Sequence, residues 1–123
     1  MPLAVQYHPD TGIVETTLSG KVTPIELKEE TIQAAALAQE NNSTRFLSDF
    51  RKATVVFSLF DVFELPSLQE AQGLTRSIRV AVLPPEGERG KEVATFYETI
   101  CVNRGWMSGV FEDRQEAMKW LGQ

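Results

Sequence analysis

The chain has 123 residues, 42% of them hydrophobic and 24% charged, so residues 1–123 suit one globular domain; a two-domain enzyme and a mainly disordered state are both excluded. Seventeen acidic against twelve basic residues give a net charge of −5, the wrong sign for a protein that works on phosphate backbones, and nucleic acid is excluded as the main partner. One cysteine and one histidine build neither an internal disulfide nor the usual structural zinc site, and no cofactor is expected.

Residues 3–7 and an alternating run from Ile13 to Leu18 flank the turn chemistry of Pro9, Asp10 and Gly12, which predicts an N-terminal hairpin whose second strand Gly20 breaks. Thr23, Pro24, Ile25 and Glu26 form a capping box with proline at the first helical position, and Val22 with Leu27 supplies a hydrophobic staple. The helix that starts there turns Leu27, Thr31, Ala34, Ala35 and Ala38 to one side, with Glu26, Glu29, Glu30, Gln33 and Glu40 opposite, and ends at Asn41 and Asn42. Residues 45–50 read as a third strand, parallel to the second by the crossover rule. Ser58 to Asp61 and Pro66 to Glu70 start two short helical pieces, the second closed by Gly73. The Val80, Ala81, Val82 run marks residues 78–83 as a buried parallel strand stopped by Pro84 and Pro85. Residues 87–91 read as a mobile glycine-rich loop without the Walker spacing. Residues 90–104 make a long helix with Val93, Phe96, Tyr97, Ile100 and Cys101 on one face and Gly105 at its end. A fifth strand follows at 106–111, and Asp113 to Glu116 repeats the capping box before a last helix. The expected fold is α/β: a mixed sheet of about five strands with about four helices on its faces.

Residues 1–8 carry neither a basic leader nor a sustained apolar core, so a cytoplasmic setting is expected. No run reaches the roughly 18 apolar residues of a spanning helix. Even the richest stretch, 55–65, is broken by Ser58, Asp61 and Glu64.

The element order and several stretches resemble the SpoIIAA-like group of proteins related to STAS domains. The stretches are Leu18 to Thr23, Leu47 to Asp49, Arg79 to Val82, Phe96 to Glu98 with Asn103 to Gly105, and Phe111 to Ala117 with Trp120 and Leu121. The group shares its general architecture with CRAL-TRIO lipid-binding domains. The resemblance implies a non-catalytic regulatory or protein-interaction module. In STAS domains an acidic residue ends the third strand and an Asp-Ser-Ser-Gly motif starts the next helix, where one serine is open to phosphorylation. Asp49 matches the acidic position and Ser58 the first serine, whereas Phe57 replaces the motif's aspartate and Leu59 and Phe60 its second serine and glycine.

Candidate chemistry is sparse. Ser58 reads as a helix cap or, with Asp49, Arg51 and Lys52 nearby, as a phosphorylation or anion site. His8 sits in a turn, Cys101 on an apolar helix face, and the acidic pairs Glu29–Glu30 and Glu112–Asp113 on solvated faces or caps, so no enzyme activity is expected. The anomaly is Phe57, Leu59, Phe60, Val62, Phe63 and Leu65, a stretch apolar nearly all round. Such a stretch packs in the core, faces a partner or walls a ligand pocket. The first expectation is therefore a protein partner or a homodimer; the alternative is a carrier or sensor of a small apolar, lipid-like molecule.

Overall fold

The computed structural model describes residues 3–123. Five strands form one sheet in the order β1-β2-β3-β4-β5. They are β1 (Leu3–His8), β2 (Ile13–Val22), β3 (Arg45–Val55), β4 (Arg79–Leu83) and β5 (Met107–Val110). β1 is antiparallel to β2 and every other neighbour is parallel, the mixed sheet with an N-terminal hairpin that the sequence predicts. The helices are α1 (Pro24–Asn41), α2 (Leu59–Phe63), α3 (Leu65–Ala71), α4 (Gly87–Asn103) and α5 (Arg114–Leu121); α2 and α3 are the two short pieces.

Alternation along the strands divides the core. On one face Val14, Leu18, Phe46, Phe50, Val80 and Val82 meet α1 through its alanines and α4 through Val93, Ala94 and Ile100. On the other, Ile13, Leu47, Ala81 and Leu83 are covered by Ala117 and Leu121 of α5. The caps explain the element ends. Thr23 and Glu26 complete the reciprocal capping box, and Asn42, left-handed at φ 53°, closes α1 while Ser43 N–H bonds the Ala38 carbonyl. Gly105, at φ 83°, lets Trp106 N–H reach the Cys101 carbonyl and stop α4 in the same way.

Four local expectations are corrected. Gly20 does not end β2; the register shifts between Thr17 and Ser19, so an irregularity of the β-bulge kind absorbs the glycine and pairing resumes to Val22. β3 likewise runs on to Val55, which puts Asp49 inside the strand instead of at its end. The pieces beyond Leu18 and Asp49 pair only with each other, as a two-stranded ribbon past the rest of the sheet. The stretch from Gly87 to Lys91 is the first turn of α4, not a loop: a Cβ at Gly90 would lie 2.4 Å from the Pro85 carbonyl oxygen, so glycine is what lets the helix start against the end of β4. Asp113 caps α5 through Gln115 N–H at 2.6 Å without a returning bond from Glu116.

Candidate functional site

Ser58 and Asp61 fasten α2. The Ser58 hydroxyl accepts from Asp61 N–H at 3.3 Å, and the Asp61 carboxylate accepts from Ser58 N–H at 2.8 Å and from its hydroxyl at 3.0 Å. The serine is thus a complete capping-box residue, and its hydroxyl already rests on a negative charge. Asp49 and Arg51 form a separate unit, with both guanidinium arms of Arg51 on the carboxylate at 2.9 and 3.0 Å. Burial pushes the Asp49 carboxyl up, but the Arg51 side chain and backbone N–H outweigh it and its pKa falls below the ordinary value. Asp49 to Val55 spans six strand residues, about 20 Å, so this pair stands well apart from Ser58 along the ribbon. Lys52 is exposed on the same strand.

The apolar stretch is split between two environments. Phe57, Val62 and Leu65 are 6%, 1% and 7% exposed and join the core. Leu59 is half-buried against it. Phe60 and Phe63, three residues apart and so on one face of α2, are 67% and 45% exposed. They border a surface groove of about 420 Å³ shared with Lys28, Glu64, Ser67 and Leu68. The Arg104 guanidinium lies 4.6 Å from the Phe63 ring centre and bonds the Ser67 hydroxyl at 3.2 Å, which fixes the ring from behind.

Three polar residues matter inside the molecule; of these, Tyr97 is expected on the inner face of its helix, whereas Glu30 and Gln69 are not expected to be buried. Glu30, expected on a solvated face, is buried, and its Oε2 accepts from the Thr16 hydroxyl at 2.7 Å and the Ser48 hydroxyl at 3.0 Å. Burial pushes its carboxyl pKa above the ordinary value against the lowering effect of the two hydroxyls. The signal was present in the spacing: Glu30 stands three residues after Leu27 and four before Ala34, on the buried stripe. The other two are Gln69 and Tyr97, whose amide NH₂ and hydroxyl bond each other across the space between α3 and α4.

Nucleophile chemistry has no support from the same geometry. Burial pushes the Cys101 thiol up to about 11, far from a reactive thiolate. His8 ends β1 and is not a free turn histidine; it meets Glu15 at 2.8 Å, and Arg114 holds the other side of that carboxylate. The Arg114 hydrogen bond, with His8 assisting, keeps Glu15 below the usual carboxylate range. No helix among the described residues is long and apolar enough to cross a membrane.

No family model and no curated protein sequence matches the chain. Among solved structures it is similar to an uncharacterised DUF3478-family protein of Shewanella loihica with a SpoIIAA-like fold, at 20% identity and a TM-score of 0.59 over 97% of this chain and 91% of that one. It is also similar to the anti-sigma factor antagonist SpoIIAA in its unphosphorylated form, at 14% identity and a TM-score of 0.55 over 96% of each chain. The fold is therefore SpoIIAA-like, as the resemblance implied.

Proposed function

We propose that this SpoIIAA-like domain is a non-catalytic regulatory module that works by docking through the outer face of α2, and that a second copy of the chain is its partner there. The observation that carries the reading is the pair of exposed phenyl rings, Phe60 and Phe63, held outward on a helix whose opposite face is locked into the core. Charge supports self-recognition: Asp61 on α2 and Glu64 at its C-terminal cap stand beside the rings, while Lys28 and Arg104 flank them from α1 and the end of α4. Because acids and bases share one surface, a two-fold pairing of copies can set unlike charges against each other. The fold also supports the reading, since the solved SpoIIAA is described as an anti-sigma factor antagonist. The proposed setting is the cytoplasm.

The area involved sets the strength. At about 200 Å² per phenylalanine, the two rings offer about 220 Å² per copy, against the roughly 600–1,000 Å² per partner of a standard interface. Val56, half exposed next to α2, and the charged rim must add to it, and the dimer is a weak one. Light scattering between about 10 and 500 µM should show concentration-dependent dimerisation. Phe63→Glu, whose carboxylate can still meet Arg104, should give a folded monomer throughout. A wild type that stays monomeric over this range overturns the proposal.

Ser58 is where a phosphoryl group would act on this surface. Added to the hydroxyl, the charge of about −1.5 to −2 would face the Asp61 carboxylate and break the cap. Phosphorylation would then unfasten α2 and abolish docking, and Arg51, committed to Asp49, would supply no compensating pair. Intact mass measurement of protein from growing cells tests for the modification.

A further inference from the structure

The Glu30, Gln69 and Tyr97 side chains all line one half-enclosed cavity of about 70 Å³ between the sheet and the α1, α2, α3 and α4 helices. Its wall is otherwise almost wholly apolar, with Phe46, Phe50, Phe57, Val62, Leu65 and Val80 contributing. Two polar atoms there are unusual. The Gln69 Oε1 atom is buried and has no hydrogen-bond partner among the described residues, although the side chain is only 7% exposed. Turning the amide over to let Tyr97 donate to the oxygen would strand the NH₂ instead, so one terminus lacks a partner in either orientation. On Glu30 both hydroxyl hydrogen bonds fall on Oε2, which leaves Oε1 without a partner among the described residues. Burial favours the protonated form of that carboxyl, which has a hydrogen to donate.

We propose that this cavity is a binding site for a small, uncharged, mainly apolar molecule with a single hydroxyl or primary amide group. Such a group both donates and accepts, so it satisfies the Gln69 terminus and the Glu30 carboxyl together, while a body of about three to five heavy atoms fills the rest. Water is the poorer occupant. The volume has room for at least two molecules, and each needs two to four polar partners, more than the few polar groups of the wall have to spare. A carboxylate ligand is disfavoured because no basic side chain lines the cavity and Glu30 does. The proposal does not rest on the docking reading and is tested separately from it.

Methyl-resolved NMR of the full chain with ethanol, 2-propanol and 1-butanol as probes tests the proposal. We expect saturable shifts confined to Leu27, Val62, Leu65, Val80, Val82 and Val93, with a Kd of about 1 mM for the best-fitting alcohol. Gln69→Met should weaken binding at least tenfold while the spectrum stays folded. Ala94→Leu fills the cavity from α4 and serves as the second variant if Gln69→Met fails to fold; it should abolish the saturable shifts. Shifts that grow linearly with alcohol for all three probes, or shifts spread over the surface, mean that the cavity holds water only and overturn the proposal. So does binding that Ala94→Leu leaves unchanged.

Discussion

Glu30→Gln should change how stability depends on pH. A carboxyl whose folded pKa is raised binds a proton in the native state over a range where the unfolded chain has released it. Stability then falls as pH rises from the unfolded value of 4.5 towards the folded one, and is level above it. The slope in that window is about 1.4 kcal/mol per pH unit for one proton, which moves the midpoint of a domain of this size by roughly 5 °C per unit. Glutamine keeps a carbonyl oxygen for the Thr16 and Ser48 hydroxyls and has nothing to ionise. The variant should therefore lack this descending limb and be more stable than wild type at neutral pH. Urea unfolding of both proteins at half-unit steps from pH 4.5 to 8, followed by the fluorescence of the buried Trp106, measures the difference. Glu15 and Asp49 keep their partners in both proteins, so their contributions cancel in the comparison. Parallel curves would refute the reasoning, because they would mean that Glu30 is charged in the folded state or that its environment is far wetter than the geometry implies.

Val62→Ala should cost about 2 kcal/mol by removing two buried carbon groups, whereas Phe60→Ala should stay within about 0.5 kcal/mol; urea midpoints compare the two faces of α2 directly. Ser58→Ala should cost about 0.5–2 kcal/mol, and Ser58→Asp should also destabilise because its carboxylate meets that of Asp61, an effect that Asp61→Asn added to Ser58→Asp relieves in the same measurement. The Cys101 thiol, pushed up to about 11, should react with a disulfide reagent at pH 8 only at the rate of unfolding, and fully at once in denaturant.

The parts of the fold legible in the sequence are those set by local rules. The capping box at Thr23, the left-handed Asn42 and the apolar run of β4 each act through neighbours a few residues away. What tertiary contact decides was not legible. Gly20 is a strand breaker by propensity, yet β3 offers it a partner at Ala53 and the strand continues. The glycines at the start of α4 look like a loop until Pro85 is seen to press on Gly90. In the candidate site, the sequence identified α2 and its cap, but period alone does not say that Phe60 and Phe63 face out while Phe57 and Val62 face in. Glu30 reads as solvated because its charge outweighs its position on the buried stripe, and the hydroxyls that receive it come from β2 and β3, 14 and 18 residues away.

The five residues of α2 serve as a partition one helix thick. Val62, with its neighbours Phe57 and Leu65, touches the interior space, and Phe60 and Phe63, one turn around, touch the exterior. Such a wall cannot move on one side alone. Anything inside that prefers one position of α2 must change the affinity of whatever is bound outside, and reciprocity makes the factor the same in both directions. A small shift in a wall this thin would change how the two rings stand against Lys28 and Arg104, so the sensitivity of the molecule is concentrated in its shortest helix.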